Sequence, residues 1–166
     1  QSDDGSGGLA TYMSIDGGIT KTVFSRDTKH LDSKKALFGD QDDLELSHDG
    51  TNSWITNATG DLKIYNNAND KDIIFASDDG SNGTTAYITL DGSSGFTTAQ
   101  KAIRFEDNVQ LQIGSASDFF MLHDGTNTTV QNNTGNLTIS NVQDDGDITF
   151  VSDNGSGGLV TYITLD

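Results

Sequence analysis

A spacing of 75 residues governs this chain. His48 stands 75 residues before His123, Ser2 stands 75 before Ser77, and Ser77 stands 75 before Ser152. SDDGSGGLATYMSID (residues 2–16) returns without gaps as SDDGSNGTTAYITLD (77–91) and as SDNGSGGLVTYITLD (152–166). SHDGTNSWITNATGDLKI (47–64) returns as LHDGTNTTVQNNTGNLTI (122–139), and DIIFA (72–76) returns as DITFV (147–151). A period of this kind decides what counts as one structural unit, so it limits every later reading. It divides the 166 residues into a first unit over 1–76, a second over 77–151 and the opening of a third over 152–166. The chain begins at Gln1 rather than Met and stops inside a repeat, which reads as an excerpt of a longer protein.

A unit of this length is near the lower limit for an independent core, so neighbouring units or partner chains are expected to help bury it. Its strand signals are short runs with period-two alternation: LATYMSI (9–15), TAYITL (85–90), LVTYITL (159–165), DLKIYN (61–66) and NLTISN (136–141). They are bounded by Asp-Gly, Asn-Gly and Gly-Gly, and no stretch carries a helical stripe. In TYITL one face takes Tyr162 and Thr164 and the other Ile163 and Leu165. The spacing of strands and turns predicts an all-β, elongated repeat protein.

Composition agrees. The formal net charge is -16, and of 25 acidic residues only Glu45 and Glu106 are glutamates. Aspartate is the acid that turns select, because its short side chain bonds the backbone two residues on. Such charge repels phosphate backbones, which argues against nucleic-acid binding. No apolar run is long enough for a helical membrane span. With no Cys there are no disulfides, and the absence of Pro suits strands whose backbone N–H groups all donate to a neighbour.

Candidate chemistry is sparse. His48-Asp49 and His123-Asp124 could be a base with its orienting carboxylate, but adjacent strand residues face opposite ways. Asp-Gly-Thr-Asn between two strand-like runs reads instead as a hairpin turn, with Gly taking a positive φ. Gathered around a symmetry axis, His48 or His123 could bind a metal ion or an anion. The loop holding Asp79 and Ser81 resembles a calcium loop but lacks the terminal glutamate and the flanking helices. The expectation is no catalytic residue and no cofactor, with calcium or an axial metal ion as the exception. The repeat matches worst over KTVFSRDTKHLDSKK (21–35) against FTTAQKAIRFEDNVQ (96–110), where KALF (35–38) also aligns with KAIRF (101–105) at another offset. Lys21, Arg26, Lys29, Lys34 and Lys35 fall there and are the candidates for receptor contact. Trp54 and the FFML run (119–122) could form a sugar platform, although such residues more often belong to a core or an interface.

LFGDQDDLELSHDGTNSWITNATGDLKI (37–64) resembles repeats in tail fibres and related elongated virion proteins of tailed bacteriophages, marine and cyanobacterial ones in particular. The resemblance spans 37–91 and 111 to the end; the second copy departs from it at Ser115, Phe120 and Leu122. It implies a homotrimeric β-fibre in the virion tail, outside the host cell. Its partners would be itself, other tail proteins and a host-surface glycan or protein. It carries over no catalytic residue. An intertwined trimer also removes exposed strand edges. Three alternatives stand beside it: a single-chain β-solenoid for the fold, a bacterial extracellular adhesin or filament subunit, and a polysaccharide-cleaving tailspike with a carboxylate pair for the function.

Overall fold

The computed structural model describes all residues, 1–166, and the chain is all-β, with fifteen short strands and no helix. Two units are described separately. Gln1–Lys71 holds β1 (Ser2–Asp3), β2 (Leu9–Ala10), β3 (Met13–Asp16), β4 (Lys21–Phe24), β5 (Lys35–Phe38), β6 (Leu44–His48) and β7 (Ser53–Asn57). Asp72–Asp166 holds β8 (Ile73–Asp78), β9 (Thr84–Leu90), β10 (Thr97–Ala99), β11 (Leu111–Ile113), β12 (Phe119–His123), β13 (Thr128–Asn132), β14 (Ile148–Asp153) and β15 (Leu159–Leu165). They form six small sheets, β1-β2, β3-β4, β5-β6-β7, β8-β9-β10, β11-β12-β13 and β14-β15. Every pairing is antiparallel and joins strands adjacent in sequence, and no sheet closes on itself.

The 75-residue period is a period of hydrogen-bond register. Leu46 pairs with Ala36 and Ile55, and Met121 pairs with Leu111 and Val130. Ser2, Ser77 and Ser152 pair with Ala10, Thr85 and Val160. The irregularity between Phe75 and Ala76 in β8 recurs between Phe150 and Val151 in β14. Three tyrosines at the same place, Tyr12, Tyr87 and Tyr162, donate their hydroxyls to the carbonyls of Asp3, Asp78 and Asp153. Register this consistent fixes the alignment that sequence left open: β5 corresponds to the residues of β11, so the likeness of KALF to KAIRF has no structural meaning.

β8 runs unbroken across Ala76 and Ser77, and the two units divide between Lys71 and Asp72. Two expectations are corrected. LATYMSI is two strands, β2 and β3, because β1 supplies only two residues as partner and the chain then turns to pair with β4. DLKIYN and NLTISN enter no sheet, although both alternate as strands do.

Side-chain burial is nearly absent. No apolar residue is buried, and Thr89, whose hydroxyl donates to the Gln100 side-chain oxygen at 2.6 Å, is the single buried polar one. Contacts between strands stay within each sheet, and neither unit has a buried apolar core. The accessible surface is 13856 Å², whereas a compact monomer of this mass exposes roughly 8,000 Å². Backbone ladders and turns give the chain its local form, but the hydrophobic term that stabilises ordinary domains is missing within it.

Candidate functional site

The histidine-bearing hairpins are the best-defined sites in both units. β6 and β7 pair as far as His48 with Ser53, and the loop closes when the Asp49 amide donates to the Asn52 carbonyl at 3.0 Å. Gly50 takes a φ of 100° there, where a Cβ would be strained. Asp49 Oδ1 accepts from the amides of Thr51 and Asn52 at 2.8 and 2.7 Å, and Oδ2 accepts from the Trp54 indole at 3.3 Å. These bonds favour the ionised form and lower the Asp49 pKa to about 2, the Asn52 amide contributing most. His48 turns the other way and shares a 3.1 Å hydrogen bond between Nδ1 and Ser53 Oγ. The adjacent His and Asp are therefore not bonded to each other.

The copy repeats this geometry. Asp124 accepts from Thr126 and Asn127 at 2.9 and 2.7 Å, His123 Nδ1 meets Thr128 Oγ1 at 3.1 Å, and Gly125 has φ 93°. Its carboxyl also lies below the ordinary range, chiefly through the Asn127 and Thr126 amides, with the His123 charge as the smallest contribution. Thr129 stands where Trp54 stands in the first copy, so no indole reaches the carboxylate.

A groove lies beside each hairpin, bordered by the preceding loop. The Ser33 amide donates to the His48 carbonyl at 2.7 Å, and the Asn108 amide donates to that of His123 at 2.8 Å. The first groove, about 500 Å³, is lined by Thr28, His30, Lys34, Ala36, Leu46, Ser47, His48, Ser53, Trp54 and Ile55. The second, about 290 Å³, is lined by Phe105, Glu106, Val109, Leu111, Met121, Leu122, His123 and Thr128. Seven positions correspond at the 75-residue offset. The floor is apolar in both, while the rim is imidazole and ammonium in the first and Phe105 with Val109 in the second.

The other candidates separate. Lys34 lines the groove, but Lys21, Arg26 and Lys29 do not, and Lys35 is held by Glu45 at 2.6 Å. Asp79 Oδ1 accepts from the amides of Ser81 and Gly83 at 2.7 and 3.1 Å, so its loop spends that oxygen on its own backbone. In the third copy Asn154 does the same for Ser156 and Gly158, at 2.8 and 3.2 Å. An amide oxygen in place of the carboxylate shows that the loop needs an acceptor and not a charge. Within the chain no three His, Asp or Glu side chains converge.

One set of residues was missed by sequence reasoning. Asn57 Nδ2 donates to the carbonyls of Thr59 and Gly60, and Thr59 Oγ1 donates to Asp43 Oδ1 at 2.9 Å. Asn132, Thr134 and Asp118 repeat the clamp. Their identity at the 75-residue offset was the available signal. Compared with protein-family models, curated proteins and solved structures, the chain matches none of them.

Proposed function

We propose that the chain is a shaft repeat of a phage tail fibre: a homotrimeric, non-enzymatic rigid spacer that also contributes to host-surface attachment. The observation that carries this reading is the absence of any buried apolar side chain in a chain whose strand registers are nonetheless regular. Leu44, Leu46 and Ile55 share one face of β6 and β7, and Phe119, Met121 and Val130 share the equivalent face of β12 and β13. Such faces are stable in water only when covered. The surplus of about 6,000 Å² over a compact monomer is of the size that obligate assemblies bury. Antiparallel hairpins between sequence neighbours favour an intertwined assembly over a single-chain solenoid, whose successive coils would pair non-adjacent strands. The fibre itself rests on the resemblance of GDQDDLELSHDGTN and its copy to tail-fibre repeats.

The grooves then serve as seats for neighbouring copies, and the aspartate-capped loops form the solvated outer surface. The expected solution mass is three times 17.7 kDa, by light scattering or sedimentation, for a rod under electron microscopy. A folded, monodisperse monomer overturns the proposal.

A further inference from the structure

The residues that alternate like strands but belong to no sheet are 61–65, DLKIY, and 136–140, NLTIS. Each follows the Asn-Thr-Asp clamp that ends the hairpin sheet, so each leaves that sheet at a fixed point. No backbone N–H or C=O within 61–65 or 136–140 finds a partner in its own chain. Their apolar members are among the most exposed in the molecule, with Ile64 at 60% and Ile139 at 66%. No residue in either segment has a positive φ, and the only polar contact there is a loose Lys63 to Asp61 ion pair at 3.8 Å between exposed side chains. Backbone with open hydrogen-bonding groups and alternating apolar residues is what can add to a sheet edge.

We infer that residues 61–65 and 136–140 are inter-chain strands, whose backbones complete a β-ladder with a second copy of this chain. This rests on the homomeric reading above and says which backbone forms the joint. The occupant is another copy for three reasons. The chain alone leaves far more surface exposed than a compact fold, so assembly partners are required wherever the apolar faces lie. The segments recur with the 75-residue period, so the joint repeats in step with the sheets of an identical neighbour. The complete absence of Pro extends into these otherwise unpaired stretches, where proline would be tolerated unless the N–H groups had work to do.

Hydrogen exchange on the assembled protein, read residue by residue, tests the inference. Amides in 61–65 and 136–140 that bond outward are expected to exchange about 100-fold more slowly than free amides, on alternate residues, despite having no partner within the chain. The double variant Lys63→Pro, Thr138→Pro is expected to weaken the assembly, and Lys63→Ala, Thr138→Ala is expected to leave it intact. An assembled trimer in which these amides exchange at the free rate, and which tolerates both prolines, overturns the inference and leaves the trimer standing. A folded monomer overturns both.

Discussion

The two hairpin sheets, β5-β6-β7 and β11-β12-β13, have one backbone and two kinds of surface. Their registers coincide strand for strand, and each loop closes with the same Asp-to-amide bonds. One face is apolar in both and ends at a histidine. The opposite face holds Glu45, Ser47, Trp54 and Thr56 in the first copy but Phe120, Leu122, Thr129 and Gln131 in the second. The lesson is that turn and clamp residues specify this fold, since they survive while the opposite face diverges. The shared face must answer to a shared requirement, and burial against other copies is the one the proposed assembly supplies.

The largest effect expected is therefore on the shared face. Leu46→Asp and Met121→Asp each place a charge where an apolar contact is needed, at a cost of several kcal/mol per chain multiplied over the copies. Sedimentation should show dissociated chains for both. The opposite face separates the copies: Leu122→Asp should cost about 1–3 kcal/mol, and Ser47→Asp, which starts from a polar side chain at the same groove position, should cost less. Equal tolerance of all four substitutions would break the comparison and the assembly with it.

How legible this was from sequence depends on where the cause lies. HDGTN announced its hairpin because Gly50 and Gly125 meet a local requirement for positive φ, and local requirements are written in local residues. The all-β class was legible for the same reason. DLKIYN carried a true alternating pattern yet joins no sheet of its own chain, because alternation reports a face that needs burial and is silent about which backbone lies alongside. The clamp of Asp43, Asn57 and Thr59 was hidden by its 16-residue reach, although the repeat preserved all three residue types.

A middle-sized effect tests the shared backbone. Gly50→Ala and Gly125→Ala both force a Cβ into the left-handed region, which costs about 1–2 kcal/mol, and the new methyl would stand 3.4 Å from Asp32 Oδ2 in the first and 3.3 Å from Asp107 Oδ2 in the second, so a side chain must shift slightly at each. Thermal unfolding should show the two losses as nearly equal, because φ is 100° in one and 93° in the other. A loss at one site alone would mean that the two turns are not equivalent in solution.

The smallest effect is the sharpest, because it turns on one indole. Asp49 and Asp124 share their backbone amide donors, and Asp49 alone accepts from a tryptophan as well. Both folded-state pKa values are depressed, that of Asp49 to about 2, so the ionised carboxylate is the form the turn holds. A depressed pKa contributes stability that is fully present above the unfolded value of about 4 and is lost as pH falls through the folded value. The first hairpin tip should thus hold at neutral pH and loosen between about pH 4 and 2, and the second should loosen as pH falls below the ordinary carboxylate range. Carboxyl NMR titration of Trp54→Phe should raise the Asp49 pKa toward its ordinary range, since one donor is gone while the amides remain. The Asp124 titration should not move. If Asp49 is unmoved as well, the indole contact does not persist in solution, and the first copy's polar face is set by something other than its tryptophan.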